Sequence, residues 1–276
     1  MVEIYETNHD AILREHISNE LYTRQKSSRH FCVPINQDSY FLVFRWCDIR
    51  DTQNRDERIS ILCGKNDIIF LLKNSRCLKI VNSLNKEETT FHVLSEFFDE
   101  LTAKDIDIIE RLEFDINEFE DGLITAKKPI KKASTRIVLL RRSLLKMKRY
   151  YEQLADVMDV LTENENGAIP ETLLNRFLSL SRRTEHLSES VGHLCEYVTQ
   201  VREAYQAQVD IEQNQIMKIF TVLTAVFFPL TLIVGWYGMN FSMPEYGWRF
   251  GYLYVVILSV AVCAVSFYIF KKRKWF

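Results

Sequence analysis

Two long apolar runs near the end of the sequence constrain this chain more than any other feature. Ile219–Tyr237 has no charged side chain over about nineteen residues, and Phe250–Phe270 has none over about twenty-one, each long enough for a helix that crosses a bilayer. The segment between them, residues 238–249, is too short to fold as a domain. The pattern therefore predicts a membrane protein with a transmembrane helical hairpin.

Basic side chains mark both open ends of this hairpin. Lys218 precedes the first run, and lysine and arginine collect on the cytoplasmic side of membranes. We therefore expect a multi-pass protein of the cell (inner) membrane with both termini in the cytoplasm and residues 238–249 outside. The basic residues after the second run are Lys271, Lys272, Arg273 and Lys274.

Composition and motifs exclude several classes of function. A net charge of -2 at pH 7 predicts no general affinity for nucleic acid. The sequence contains no grouping of a nucleophile with a base and no glycine-rich phosphate loop, so we predict neither an enzyme nor a bound cofactor. The six cysteines form no C-x-x-C pair and are expected to be reduced, buried thiols.

The first ninety residues contain short apolar runs with strand composition, after a polar start with one short helix around Ala11–Ile17. Turn residues such as those of Gly64–Asp67 separate the runs. The predicted strands are Phe31–Ile35, Tyr40–Trp46, Ile59–Cys63, Ile68–Leu72 and a last one near Lys79–Val81.

Two helices of opposite charge are predicted next. Apolar side chains recur at threes and fours from Phe91 to Leu123, opposite an acidic face, and a basic helix follows over Ile130–Leu161 after a break at Lys127–Pro129. The opposite charges suggest an antiparallel hairpin, in which each exposed pair contributes only a fraction of a kcal/mol.

A single very long helix follows this hairpin. From Pro170 to Trp236 only Gly192 and Pro229 interrupt the helical pattern, which predicts a stalk that continues directly as the first span. Three possible zinc ligands share one face of the stalk at i, i+3 and i+7 but include no pair of histidines at i, i+4, so we interpret them as exposed side chains. They are His186, Glu189 and His193.

One face of the first span gathers small and hydroxylated side chains, which we call the stripe. Its members recur every three or four residues, the period of helices packed around a common axis. Such a stripe is typical of tight helix contacts or of the lining of a wet passage. Its members are Asn214, Met217, Thr221, Thr224, Phe228, Thr231 and Gly235, with Phe220 close to it.

The C-terminal region resembles the CorA-like magnesium and divalent cation transporter superfamily, which includes ZntB-like members. The resemblance rests on Gly238-Met239-Asn240 placed just after a Pro-containing span, a second span, and the ending FKKRKWF. It is closest over residues 214–276. It implies an α+β membrane protein with a small N-terminal α/β cytosolic domain, a helical hairpin and a stalk helix, assembled as a homopentameric funnel around the first span.

The resemblance also implies how the site works. A ring of Asn240 side chains would bind Mg²⁺ through the ion's own waters, because Mg²⁺ dehydrates reluctantly. Gly238 would give the backbone its freedom, Met239 would pack, and Glu245 would concentrate cations outside. With this motif beside it, the stripe is interpreted as pore-lining. Phe220 and Phe228 would form apolar rings that gate by dewetting, and Lys271–Lys274 would form a basic collar.

One departure from the family concerns regulation. Many CorA proteins carry carboxylates on the stalk that bind regulatory magnesium between subunits, and this chain has Ser179 and Arg182 at those positions. We therefore expect weak regulation by Mg²⁺ at that site. Candidate ligands elsewhere are on the acidic helix: Asp105, Asp107, Glu118 and Asp121.

The predicted function is Mg²⁺ influx, with Co²⁺ or Ni²⁺ as further candidate ions, through a pentameric pore whose partners are its own copies, the lipid bilayer and divalent cations. The alternatives are a ZntB-like Zn²⁺ transporter and a membrane-anchored adaptor without transport. The predicted segments are 1–90 (α/β domain), 91–168 (hairpin), 169–218 (stalk), 219–237 (first span), 238–249 (external loop), 250–270 (second span) and 271–276 (basic tail).

Overall fold

The computed structural model describes residues 1–6, 9–28, 30–73, 75–125, 132–240 and 247–272. The chain forms two compact units, Met1–Glu203 and Ala204–Phe276. The strands are β1 (Val2–Tyr5), β2 (Phe31–Asn36), β3 (Ser39–Trp46), β4 (Glu57–Gly64) and β5 (Ile68–Leu71). The helices are α1 (His9–His16), α2 (Asn19–Ser27), α3 (Ser75–Ser83), α4 (Thr90–Thr102), α5 (Asp105–Thr125), α6 (Ala133–Glu163), α7 (Glu171–Tyr237) and α8 (Gly251–Lys272).

The first unit is built on a five-stranded sheet in the order β1-β5-β4-β3-β2. β1 runs parallel to β5, and the other neighbours are antiparallel. Successive side chains of a strand point to opposite faces, and both faces of this sheet are covered. Phe41 and Val43 pack in one core with Leu13 and Tyr22 of α1 and α2, so this α/β domain has a core on each side.

The opposite face of the sheet packs on α4 through aromatic rings. Phe44 lies 5.7 Å from Phe98 and Phe70 lies 5.2 Å from Phe97, measured between ring centroids. α4 is therefore buried around most of its circumference, whereas α5 buries only a narrow apolar row that includes Ile109, Ile116, Phe119 and Leu123.

This difference in burial explains why the predicted single helix over Phe91–Leu123 is wrong. The chain breaks at Ala103 and Lys104 into α4 and α5. One straight helix could not be buried against the sheet in its first half and be exposed on most of its surface in its second half. Asp105 begins α5, and its buried carboxylate accepts a hydrogen bond from the Tyr151 hydroxyl at 3.0 Å.

Four of the five predicted strands are confirmed with small shifts at their ends, and so is the helix around Ala11–Ile17. The strand predicted near Lys79–Val81 is wrong, because this segment belongs to α3, which buries Cys77 and Val81 one helical turn apart. The sequence patterns predict neither β1 nor α2. β1 is only four residues long and is held by a distant partner, β5.

The predicted helix over Ile130–Leu161 is confirmed as α6, which begins at Ala133 and ends at Glu163. The break predicted at residues 127–129 lies outside the described residues.

The charge pairing expected between α5 and α6 is not found, since within residues 105–125 and 132–163 no acidic side chain of α5 lies within 4.0 Å of a basic side chain of α6. Instead the Arg136 guanidinium lies over the Phe119 ring, 4.4 Å from its centroid. A cation–π contact therefore joins these helices.

The turn after α6 is fixed by side chains as well as by backbone. Asn164 is left-handed with φ 46° and accepts a hydrogen bond from the Ile169 backbone N–H at 3.0 Å. Gly167 has φ +66°, a region that disfavours other residues. The predicted single helix from Pro170 to Trp236 then follows and is confirmed by α7, which ends at Tyr237.

Candidate functional site

The Gly-Met-Asn motif continues the last turn of α7. The Gly238 backbone N–H donates to the Val234 carbonyl at 2.9 Å, and the Met239 N–H donates to the Trp236 carbonyl at 3.4 Å. A Cβ at position 238 would lie 2.8 Å from the Val234 carbonyl oxygen, closer than side chains tolerate. Glycine is therefore required at 238 for close approach to the preceding turn.

Asn240 follows directly and its side chain is exposed. Met239 contributes with Phe228, Leu232 and Trp236 to a shallow groove at this end of α7. Residues 241–246 lie outside the described residues, so the predicted role of Glu245 stays a prediction. The motif thus presents its amide immediately beyond the last turn of the helix.

Within the second unit, α7 has two distinct faces. Its half-buried residues recur on one side and include Val222, Val226 and Ile233. α8 has a matching half-buried side that includes Val262 and Ser266. Because these are the two helices of one compact unit, we infer that these sides cover each other.

The stripe lies on the other side of α7. At 100° per residue, Thr224, Phe228 and Thr231 are turned by roughly half a circle from the side that carries Val226 and Ile233. Phe228 is 70% exposed. Every predicted member of the stripe is exposed in the single chain: Asn214, Met217, Phe220, Thr221, Thr224, Phe228, Thr231 and Gly235.

Two threonines of the stripe donate their hydroxyl protons to backbone carbonyls of α7 itself. The Thr221 hydroxyl donates to the Met217 carbonyl at 2.8 Å, and the Thr231 hydroxyl donates to the Phe227 carbonyl at 2.9 Å. A hydroxyl whose proton is used in this way offers only oxygen lone pairs to its surroundings. Such oxygens suit a hydrated cation rather than an anion.

Two helices of the described chain are long and apolar enough to cross a membrane, α7 and α8. Their apolar windows are 6% and 0% buried, which distinguishes them from the buried core helices of soluble proteins. Lys271 and Lys272 at the end of α8 are exposed, while Arg273 and Lys274 lie outside the described residues.

The family comparison agrees with this arrangement. A family model described as CorA-like Mg²⁺ transporter protein matches residues 14–272. The chain belongs to this family. It is 23% identical over 228 residues to the cobalt/magnesium transport protein CorA of Thermotoga maritima, covering 79% of this chain and 64% of that protein. The chain thus spans less than two thirds of the length of this CorA relative.

Two solved structures show the same fold. The CorA magnesium transporter of Methanocaldococcus jannaschii superposes with a TM-score of 0.76 at 20% identity, covering 100% of this chain and 90% of that one. The ZntB cytoplasmic domain of Vibrio parahaemolyticus superposes with a TM-score of 0.59 at 16% identity, covering 76% of this chain and 87% of that one. At these identities the likeness concerns the fold alone.

The stalk positions at which the family resemblance predicts carboxylates lie on an arginine-rich side of α7. Ser179 and Arg182 are exposed, and the neighbouring Arg183 forms an ion pair with Asp99 of α4. Two turns earlier on α7, Arg176 hydrogen-bonds to His92 of α4. In this CorA-like chain, cationic side chains of α7 therefore bind α4 directly.

No group of three or more His, Cys, Asp or Glu side chains that could hold a metal occurs among the described residues. His186, Glu189 and His193 are exposed, as interpreted from the sequence. Asp105 is unsuitable as a sensor ligand because it is only 2% exposed. Sequence reasoning places it on the acidic face, since helical periodicity alone cannot show that it begins a separate helix.

Burial raises the pKa of the Asp105 carboxyl to about 6, although the Tyr151 hydrogen bond and the charges of Arg76 and Arg50 act in the opposite direction. The folded state therefore binds a proton at a higher pH than the unfolded chain does. This contribution to the free energy of unfolding is fully present below about pH 4 and is lost as the pH rises through about 6.

Asp105→Asn should abolish this pH dependence while keeping an oxygen for Tyr151. As the pH rises from about 4 to about 6, we expect the free energy of unfolding of the wild type to fall by up to about 3 kcal/mol relative to that of the variant. Thermal unfolding of both purified proteins in detergent at several pH values measures the difference. A difference in Tm that does not change with pH would show that folding leaves the pKa of Asp105 unchanged.

Proposed function

We propose that this chain forms a homopentameric pore that admits divalent cations, Mg²⁺ foremost, into the cytoplasm. The observation that carries the proposal is the exposed stripe of α7, which ends at Gly238-Met239-Asn240 and lies away from α8. Two helices cannot enclose a passage, so several copies must contribute one α7 each. A cyclic ring satisfies this requirement with a single repeated contact.

Selection begins at Asn240 in this proposal. Mg²⁺ holds its waters tightly, and neutral amide oxygens accept hydrogen bonds from those waters without stripping them. The hydroxyl oxygens of Thr221 and Thr231 continue this lining of acceptors along α7. Transport in this form needs no cofactor and no catalysis.

The topology follows from charge. Lys271 and Lys272 at the end of α8 favour a cytoplasmic C-terminus under the positive-inside rule, and the N-terminal unit then lies in the cytoplasm too. The basic side chains at this end would form a collar around the inner mouth. The cation would enter at the Gly-Met-Asn motif and leave through this collar.

Phe228 is proposed to form an apolar ring that restricts flow by dewetting. Phe228→Ala should widen it and raise the basal rate of Mg²⁺ flux severalfold, with the oligomer yield on native gels unchanged. Leu223→Ala, at an exposed position of the same helix outside the stripe, is the matched control. Unchanged flux together with a collapsed oligomer yield would assign Phe228 to packing instead.

Mg²⁺ uptake is tested by growth of a bacterial strain that lacks its own Mg²⁺ transporters. Expression of this chain should restore growth on limiting Mg²⁺. The ZntB-like alternative is compatible with this fold, since the chain also superposes on the ZntB cytoplasmic domain. Failure to restore growth, with zinc accumulation in the same cells, would support that alternative, and accumulation of neither metal would favour an adaptor.

A further inference from the structure

A cavity of about 440 Å³ lies within the first unit, which contains no member of the stripe. It is bordered by the region before β2, the end of β3 and one side of α6. Its volume is within the range of small-molecule sites. The polar side chains that matter most in its wall are His30, Arg45, Asp56, Lys146, Arg149 and Asp156.

The acidic side chains of the wall already have cationic neighbours. Lys146 Nζ lies 2.8 Å from the Asp56 carboxylate and also donates to the Thr52 carbonyl at 2.8 Å. His30 Nε2 lies 2.7 Å from the Asp156 carboxylate. Glu152, on the same wall, lies 4.0 Å from Lys148, which is outside the cavity.

Two guanidinium groups of the wall belong to exposed side chains. Within the described part of the chain, neither Arg45 nor Arg149 has a carboxylate within 4.0 Å. Arg45 also stands directly opposite Arg58 in the antiparallel register of β3 and β4. Like charges directly opposite each other destabilise a sheet, so an anion near Arg45 would relieve a cost that this unit otherwise bears.

We propose that this cavity binds a sugar phosphate of about the size of a mononucleotide. The guanidinium groups of Arg45 and Arg149 would each offer paired donors to the phosphate oxygens, a geometry that lysine cannot provide. The Glu152 and Asp156 carboxylates would accept hydrogen bonds from sugar hydroxyls. The ligand would thus bring a metabolite signal to the cytosolic unit of a protein proposed to carry cations.

Isothermal titration of the purified chain with AMP tests the proposal, with inorganic phosphate and adenosine titrated separately. We expect saturable AMP binding that weakens as salt is added, since partly exposed charges are screened. Arg45→Gln/Arg149→Gln should weaken AMP binding by about tenfold or more, a loss of about 1.4 kcal/mol. Phosphate should bind more weakly than AMP at the same site and compete with it.

Arg141→Gln/Arg142→Gln is the matched control, since these arginines lie on the exposed side of α6 outside the cavity. It should bind AMP like the wild type. The single variant Arg149→Gln, on a helix surface, serves if the double variant does not fold. The proposal would be overturned if neither AMP nor phosphate bound, or if the variants of Arg45 and Arg149 bound AMP as tightly as the wild type. It would also be overturned if adenosine bound as tightly as AMP.

Discussion

Replacing Asn240 with alanine is expected to abolish most Mg²⁺ uptake while leaving folding, insertion and assembly intact. Asn240 is exposed beyond the last turn of α7, so its truncation removes no packing from the described chain. It does remove the amide oxygens that we propose receive the waters of the ion. A single hydrogen bond contributes about 1 kcal/mol, and a ring of them is lost at once, so we expect at least about a tenfold fall in rate.

Two further variants sharpen this test. Asn240→Asp keeps the size and the oxygens and should retain more uptake than alanine, whereas Asn240→Leu keeps the size alone and should behave like alanine. Uptake is measured with correctly inserted protein at matched expression. Uptake at the wild-type level by Asn240→Ala would remove this residue from the mechanism.

Gly238→Ala is expected to reduce Mg²⁺ uptake nearly as strongly as Asn240→Ala does. The cause would be a displaced backbone and not the loss of an amide that receives the ion. The new Cβ would lie 2.8 Å from the Val234 carbonyl oxygen, so the last turn of α7 must shift and Asn240 must move with it. Backbone oxygen cannot swing aside as the end of a flexible side chain can. The rate of Mg²⁺ flux and the oligomer yield of the purified variant measure the effect.

Gly247→Ala is the matched control for this prediction. Position 247 lies between the motif and α8, and no atom of the described residues lies within 4 Å of the place that a Cβ would occupy there. This variant should transport like the wild type. Equal rates for Gly238→Ala and the wild type would mean that the turn at Val234 accommodates a side chain and that its geometry does not position Asn240.

The membrane-spanning part of the fold can be predicted because its signals are local. An apolar run without charge predicts a membrane span whatever surrounds it. Helical geometry alone then places the stripe on the side of α7 opposite Val226. The exposed stripe in the structure accords with this placement. The contacts of α7 in the proposed oligomer cannot be derived in this way, because they would join separate chains.

The first unit is harder to predict because its decisive contacts are distant in sequence. β1 depends on its pairing with β5, and Asp105, which begins α5, is buried against Tyr151 of α6. The cavity beside Arg45 and Arg149 also joins a strand to a helix about a hundred residues further along. Sequence periodicity carries no information about such partners.

Ion flux through the purified protein in liposomes tests the central claim most directly. An Mg²⁺ indicator or a Zn²⁺ indicator is enclosed, and each metal is added outside with and without a proton gradient. We predict Mg²⁺ entry that needs no proton gradient and that is nearly absent from liposomes with Asn240→Ala. Inserted oligomers that pass no Mg²⁺, or that pass only Zn²⁺ and only with a proton gradient, would contradict this account.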